Sequence, residues 1–255
     1  MEVKDRIIVA LDVDELDKAK FLVAILAPYV GCFKVGLELM SAAGLPQTVQ
    51  AIHQLGGSVF CDIKLNDIPN TMAGTAKVIS KLGVRMFNVH ASAGGIEGMV
   101  AAAVAARSVG IQDEGWSGTR PLAVPGNCLI LAVTVLTSFE ENNAHLTFGA
   151  PTKAKVLQFA RDAKAAGLDG VICSPQELGL LGGQTELADL MKITPGVRPA
   201  WAAAGDQKRV MTPAEAIKAG ATALVIGRPI TKPPAEIGSP VDAAKKIAEE
   251  IAALL

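Results

Sequence analysis

Aromatic residues and excess charge are both scarce in this 255-residue chain. It has one tyrosine and two tryptophans, aromatic residues make up 4% of it, and its formal net charge is −1. Proteins that bind single-stranded nucleic acid combine aromatic stacking with a positively charged groove, so this composition argues against a nucleic-acid partner. No apolar run approaches the roughly 20 residues that a membrane-spanning helix needs, which argues against a membrane protein.

Cysteine and histidine are also few, and their spacing excludes the common metal sites. The four cysteines never form a Cys-x-x-Cys pair, and the three histidines lie far apart. Cysteines inside strand-like runs are typical of buried side chains in a reducing compartment, and the N-terminal residues lack a signal-peptide layout. We therefore predict a cytoplasmic protein without a metal site. His90 ends a predicted strand, where we expect a hydrogen-bonded structural histidine.

Short apolar runs that alternate with helical patterns dominate the chain. Hydrophobic residues make up 50% of it and charged residues 19%, as in a parallel sheet covered on both faces. Eight strand candidates separated by helices predict a single (β/α)8 TIM barrel over residues 1–255, with an open doubly wound sheet as the alternative. The predicted strands cover 6–12, 31–37, a run that begins at Val59, 84–90, 128–136, 170–173, 191–194 and 223–227.

Local signals predict where several helices and loops begin. Three positions have a Ser or Thr followed by a proline and, three residues on, by an acidic residue, which is the pattern of a capping box. These positions are Ser174, Thr212 and Ser239. One helix is predicted over 41–55, and irregular loops are predicted over 111–127 and 137–150.

The most informative stretch is an apolar run that acquires charge towards its end. From Val59 it reads Val-Phe-Cys-Asp-Ile-Lys-Leu-Asn-Asp-Ile-Pro-Asn-Thr. Asp62 and Lys64 share one face of the predicted strand, and Asp67 follows it, just before a helix that begins near Pro69. Charges on a buried strand persist when they pair or take part in chemistry. The alternative to a catalytic role is a buried ion pair that fixes the register.

Polar residues also end or follow the other predicted strands, where a barrel carries its active site. They are Asp12, Lys34, Thr137, Arg198, Gly227 and Arg228. Lysine is rarely buried without a partner, so we expect Lys34 to pair with Asp12 and Asp62. Together with Lys64 and Asp67, these charges would create strong local fields in a site of low dielectric constant.

A phosphate site is predicted after strands seven and eight. The backbone N–H groups of Gly227 and Arg228, with the guanidinium group, suit a phosphate, although a solvated arginine beside a strand-ending glycine is the simpler alternative. The segment 195–210 is too long for an ordinary connection between a strand and a helix. With Arg198 near one end and Gln207 near the other, we expect this segment to close over a bound phosphate.

These motifs resemble the orotidine 5'-phosphate decarboxylase family of the bacterial type, over nearly the whole chain. The residues that carry the resemblance are Ala10-Leu11-Asp12, the stretch from Asp62 to Thr71, Leu136-Thr137-Ser138, the stretch from Thr194 to Arg198, and Ile226-Gly227-Arg228-Pro229. Leu65 and Asn66 depart from it, because bacterial relatives commonly have an aromatic residue and a histidine there.

The resemblance implies a decarboxylase that converts orotidine 5'-monophosphate to uridine 5'-monophosphate without a metal or cofactor. Lys64 would protonate the ring carbon, and Asp62 would lie beside the substrate carboxylate. Lys34 and Asp12 would contact the ribose hydroxyl groups. The remaining implied contacts are Asp67, Ile68 and Thr71 in the neighbouring subunit's site of a homodimer, Thr137 at the pyrimidine, and Arg198, Gln207, Gly227 and Arg228 at the phosphate.

Two other functions remain open at the level of sequence. A related barrel that acts on a keto-sugar phosphate shares the Asp-x-Lys-x-x-Asp spacing but needs a divalent metal, and sensitivity to a chelator would distinguish it. A non-catalytic phosphate-binding barrel would be expected to have lost Lys64 or Asp62, and this chain retains both.

Overall fold

The computed structural model describes residues 1–93, 95–109, 128–202 and 211–254 and shows a closed barrel. Eight parallel strands follow one another in chain order, and the last pairs with the first. This confirms the predicted TIM barrel and excludes the open sheet. The strands are β1 (Ile7–Ala10), β2 (Cys32–Val35), β3 (Val59–Leu65), β4 (Met86–His90), β5 (Leu129–Val133), β6 (Gly170–Ile172), β7 (Met191–Pro195) and β8 (Ala223–Ile226).

Helices connect the strands and cover the outside of the barrel. Within the described residues they are α1 (Leu16–Leu26), α2 (Leu37–Ala43), α3 (Leu45–Gln54), α4 (Pro69–Lys81), α5 (Gly95–Arg107), α6 (Glu141–Phe148), α7 (Thr152–Ala165), α8 (Leu178–Gly182), α9 (Pro213–Lys218), α10 (Arg228–Thr231) and α11 (Pro240–Ala252). None of these helices has the length and apolar character that crossing a bilayer requires.

The core has two layers because strand side chains alternate between the two faces of the sheet. Ile7 and Val9 of β1 join the large cluster between the barrel and its helices. Ile8 and Ala10 point the other way and fill the barrel interior. The remaining buried members of the inner cluster are Cys32, Phe60, Met86, Leu131, Ile193, Ala223 and Val225. This inner layer lies directly beneath the side chains at the carboxyl ends of the strands.

The three predicted capping boxes are confirmed. Each Ser or Thr side chain accepts a backbone N–H from the first turn, and the acidic side chain three residues later accepts the N–H of the cap residue. The hydrogen bond from the backbone N–H of the cap residue to the acidic side chain is 2.8 Å long for Ser174 and Glu177, 2.8 Å for Thr212 and Glu215, and 2.9 Å for Ser239 and Asp242. These local contacts place the starts of helical segments after β6, β7 and β8.

Two predicted segments are wrong in detail, and one lies outside the described residues. The helix predicted over 41–55 is divided at Gly44, whose φ of 76° interrupts the helical conformation between α2 and α3. The loop predicted over 137–150 contains α6, which ends at Gly149 in the left-handed conformation. The predicted loop 111–127 falls in the part of the chain that the structure does not describe.

Candidate active site

Charged side chains gather at the carboxyl ends of the first three strands. Asp12 follows β1 by two residues, Lys34 lies in β2, and Asp62 and Lys64 lie near the end of β3. Lys34 and Asp62 each lie two positions beyond an inner-core residue, so the alternation of the strands directs both into the mouth of the barrel. Four residues from three separate parts of the sequence thus meet at the mouth of the barrel.

These four residues form a continuous chain of ion pairs. Lys34 Nζ lies 3.0 Å from Asp12 Oδ1 and 3.3 Å from Asp62 Oδ2, and Lys64 Nζ lies 2.7 Å from Asp62 Oδ1. The side chains of Lys34 and Asp62 are only 12% and 13% exposed. Because these two charges are shielded from water, each depends on the other for stabilisation. Asp62 therefore holds two ammonium groups, one on each carboxylate oxygen.

The environment keeps both buried members of the chain ionised. Burial disfavours the charged form of Asp62, but the nearby ammonium groups of Lys34 and Lys64 outweigh it and lower the pKa of Asp62 below its usual value. Burial likewise disfavours charge on Lys34, and attraction to Asp62 and Asp12 outweighs it, so the pKa of Lys34 is raised. Near neutral pH the site therefore holds fixed charges of alternating sign.

A glycine leaves space for the Lys34 ammonium group. A Cβ atom at Gly36 would lie 3.1 Å from Lys34 Nζ and 3.6 Å from Asp12 Oδ1. The first distance is tighter than ordinary van der Waals contact, so a larger residue would press on the ion pair. Gly36 also precedes α2 as its N-cap, which places the end of β2 directly beside the charged chain.

Lys64 has an unusual backbone conformation. Its φ is 53°, in the left-handed region, and it is the one non-glycine residue with positive φ in the described parts of the chain. A bulky residue held there costs about 1–3 kcal/mol and persists when the surroundings enforce it. The pairing of β3 with β4 also shifts between Cys61 and Leu65. The local backbone at Lys64 is therefore strained, and sequence patterns gave no sign of it.

Asn88 is a contact of this site that the sequence analysis missed. It lies in β4 with no exposed surface, its Nδ2 donates to Asp62 Oδ1 at 2.7 Å, and its Oδ1 accepts the Lys64 N–H at 2.7 Å. The available signal was an asparagine inside the apolar run Met-Phe-Asn-Val-His, since a buried amide must be hydrogen-bonded.

His90 at the end of β4 is hydrogen-bonded, as predicted. Its Nδ1 lies 2.6 Å from Ser92 Oγ and also accepts the Ser92 N–H at 3.4 Å. Burial, with a smaller effect of the Lys64 charge, lowers the pKa of His90.

Asp67 lies apart from the chain of ion pairs within one copy of the protein. It is exposed, two residues beyond β3, and its Oδ1 accepts the Ile68 N–H at 2.7 Å. Ile68 is 65% exposed and is the N-cap of α4, and Thr71 is exposed in the first turn of that helix. Within a single chain, the predicted array of charges therefore contains Asp12, Lys34, Asp62 and Lys64 but not Asp67.

The predicted phosphate contacts follow β7 and β8. Gly227 directly follows β8 and is the N-cap of the short helix α10, which begins at Arg228. Arg198 lies three residues beyond β7, and its N–H donates to Met211 O at 3.0 Å, which joins the two ends of the segment between them. Gln207 lies outside the described residues. Thr137 is exposed, four residues beyond β5.

No cluster of three or more His, Cys, Asp or Glu side chains suited to a metal ion occurs in residues 1–93, 95–109, 128–202 and 211–254. The four cysteines are free, and burial raises the pKa of each thiol to about 12. They are therefore protonated at neutral pH and unsuited to nucleophilic chemistry.

Comparison with known proteins identifies similar chains over the full length. Residues 5–247 match the family described as "Orotidine 5'-phosphate decarboxylase / HUMPS family". The chain is 47% identical over 253 residues to orotidine 5'-phosphate decarboxylase of Moorella thermoacetica, covering 98% of this chain and 94% of the relative. It is 46% identical to that of Heliobacterium modesticaldum, covering 99% and 98%. A crystal structure of orotidine 5'-phosphate decarboxylase from Lactobacillus acidophilus matches with a TM-score of 0.75 at 34% identity, covering 97% of this chain and 99% of that one.

Proposed function

The chain belongs to the orotidine 5'-phosphate decarboxylase / HUMPS family, and we propose that it converts orotidine 5'-monophosphate to uridine 5'-monophosphate and CO2. This is a carboxy-lyase reaction and the step that forms UMP in pyrimidine nucleotide synthesis. The observation that carries the proposal is the chain of ion pairs from Asp12 through Lys34 and Asp62 to Lys64 at the mouth of the barrel. Relatives that share nearly the whole length of the sequence bear the same activity in their names.

Loss of CO2 from the pyrimidine leaves an electron pair on a ring carbon that delocalises it poorly. The bond from the ring to the carboxylate breaks, CO2 leaves without the pair, and a proton must reach the carbanion. Lys64 supplies this proton from Nζ and regains one from solvent. A fixed ammonium group beside the carbanion also stabilises the charge as it develops, which is often the largest contribution to catalysis.

Asp62 has two roles in this proposal. Its carboxylate holds Lys64 Nζ at 2.7 Å, which keeps the proton donor charged and oriented. Placed beside the substrate carboxylate, it would also favour loss of that group by repulsion between like charges. The buried Lys34 ammonium group, on the other oxygen of Asp62, keeps this carboxylate ionised.

The remaining polar residues bind the nucleotide away from the reacting carbon. Lys34 and Asp12 contact the ribose hydroxyl groups, and Thr137 contacts the pyrimidine. The phosphate lies at the ends of β7 and β8, where it is held by Arg198, Gln207, Gly227 and Arg228. Contacts to the phosphate contribute binding energy that stabilises the organised site around the distant ring carbon. No cofactor takes part in this scheme.

We further propose that the enzyme is a homodimer with shared active sites. Asp67, Ile68 and Thr71 lie at the start of α4, exposed and outside the chain of ion pairs of their own copy. Beside them, α4 and α5 present an apolar groove whose lining includes Ala73, Ile96, Val100 and Val104. Pairing of two such surfaces would bury them and bring Asp67 to the partner's site.

Replacing Val104 with glutamate is expected to convert the dimer to monomers and to lower turnover at least tenfold. Val104 is 65% exposed in the groove, and a charge buried there at a dimer interface would lack a partner. Phe21→Glu, at a 65% exposed position on α1, is the matched control and should remain dimeric. Sedimentation velocity with parallel activity assays measures both. A fully dimeric, active Val104→Glu enzyme would rule out this interface.

The proposed reaction is tested by following the ultraviolet absorbance of orotidine 5'-monophosphate with purified protein in the presence of a chelator. Conversion to uridine 5'-monophosphate is expected, with no gain when magnesium is added. A folded protein that leaves the nucleotide unchanged, but acts on a keto-sugar phosphate with magnesium, would overturn the proposal in favour of the related metal-dependent barrel.

A further inference from the structure

The end of β3 departs from the regular pairing of the sheet. Cys61 pairs with Phe87 and Leu65 pairs with Val89, so four residue steps along β3 correspond to two along β4. Lys64 lies in this bulge with a left-handed φ of 53°. Its backbone N–H therefore needs an acceptor other than the regular strand pairing.

The side chain of Asn88 supplies that acceptor and links it to the ion pair. Asn88 Oδ1 accepts the Lys64 N–H at 2.7 Å, and Asn88 Nδ2 donates to Asp62 Oδ1 at 2.7 Å. The same oxygen of Asp62 accepts Lys64 Nζ, also at 2.7 Å. The three residues thus form a closed ring that ties the backbone of Lys64 to the carboxylate that holds its ammonium group.

The chemistry of this ring suits an amide. One atom of the side chain must accept a backbone N–H, and another must donate to a carboxylate. Both hydrogen bonds must be made within the protein, because Asn88 has no exposed surface. Aspartate at this position would keep the shape and the acceptor but place a second carboxylate against Asp62. Leucine would fill the space and lose both hydrogen bonds.

We propose that Asn88 is a positioning residue, which holds Lys64 in its left-handed conformation and keeps its ammonium group against Asp62. This inference rests on the proposed function, in which Lys64 donates the proton. Asn88 does not itself touch the reacting atoms. Its amide fixes the donor from the buried side of the barrel, whereas Lys34 fixes Asp62 through the other carboxylate oxygen.

The test compares Asn88→Leu and the isosteric Asn88→Asp with the wild type in steady-state assays on orotidine 5'-monophosphate. A proton donor displaced by about 1 Å is expected to lose about 100-fold in kcat. KM should change much less, because the residues proposed to bind phosphate and ribose remain in place. Asn88→Asp should lose at least as much as Asn88→Leu, although it preserves the volume. Wild-type kcat in both variants would overturn the inference.

A pH profile separates positioning from a general loss of stability. Asn88 is one of the groups that lower the pKa of Asp62, so its loss should raise that pKa and move the acidic fall of kcat/KM to higher pH. The other charged or titratable groups around this ring are Lys34, Lys64, Asp12, His90 and Cys61. The pH profile is measured on Asn88→Leu, which leaves these groups unchanged and adds no titratable group. An unmoved acidic limb would contradict the inference.

Two controls make the result independent of folding and of the proposed reaction. Thr48→Val removes a buried polar group on α3, outside the charged chain, and should leave kcat and the pH profile unchanged. A crystal structure of Asn88→Leu, which lacks the acceptor for the Lys64 N–H, should show an altered φ at Lys64 and Lys64 Nζ withdrawn from Asp62 Oδ1, and an unaltered contact and φ would overturn the inference. If the wild type fails to decarboxylate the nucleotide, the proposed function is wrong, and the crystal structure alone decides the positioning role.

Discussion

Replacing Lys64 with alanine is expected to abolish decarboxylation, with kcat falling by at least about 10³-fold. The substitution removes both the proton donor and the fixed positive charge that stabilises the carbanion. The side chain removed is the terminal cation of the ion-pair chain, 2.7 Å from a buried carboxylate. Asp62 retains Lys34 at 3.3 Å, so its charge remains partly compensated and the barrel is expected to fold. Ultraviolet assays of turnover, with thermal unfolding in parallel, measure both effects.

Two further variants make the Lys64 result specific. Lys18→Ala removes an exposed lysine that pairs with Asp14 and Glu15 on the surface, and it should keep full activity. Lys64→Arg retains a positive charge, but a guanidinium group does not give up its proton, so turnover should remain low. Activity of Lys64→Ala within tenfold of the wild type would assign the proton to another group and contradict the proposed mechanism.

Mixing two inactive variants is expected to restore activity. Asp67→Ala and Lys64→Ala should each lose at least about 10³-fold in kcat as homodimers, because each removes one of the charges that the proposed site needs. When the two chains are combined at random, half of the dimers are heterodimers. Each heterodimer contains one site with an intact Lys64 and an intact partner Asp67. About one quarter of wild-type activity should therefore return in a symmetric dimer.

This recovery distinguishes a shared site from one built within a single chain. If Asp67 served its own copy, each heterodimer would contain two defective sites, and the mixture would remain inactive. Co-expression with two different affinity tags isolates the heterodimer and gives the activity per site directly. The Val104→Glu substitution provides the matched control, since its loss of the proposed interface should prevent the recovery.

Local patterns in the sequence were sufficient for the fold and for most of the candidate residues. The spacing of apolar residues and the glycines between segments predicted the closed barrel, because the pattern of each strand or helix is visible within a short stretch of sequence. The capping boxes at Ser174, Thr212 and Ser239 were predictable for the same reason. Charge on an otherwise buried strand marked Asp62 and Lys64, since such charge is costly unless it is paired.

Local patterns gave wrong predictions for two segments, 41–55 and 137–150. The positive φ of Gly44 ended one helix and began another, and a polar segment after β5 formed α6 although it was predicted to be a loop. The apolar periodicity over 41–55 is similar for one helix or two, and α6 buries little apolar surface. The boundary between α2 and α3 thus follows from the backbone conformation of Gly44, and α6 lacks a clear apolar pattern because Ala144 is its one buried residue.

What the sequence by itself determined is the barrel, the set of charged residues at its mouth and the family to which they point. The expected pairing of Lys34 with Asp12 and Asp62 is confirmed. Only the tertiary structure decided which oxygen each ammonium group contacts, because Lys34 and Asp62 are 28 positions apart and meet through the pairing of β2 with β3. The tertiary structure also revealed the left-handed Lys64 and its link to Asn88 across two strands. Side-chain type and spacing are local properties, whereas the register of a bulged strand depends on its neighbours in the barrel.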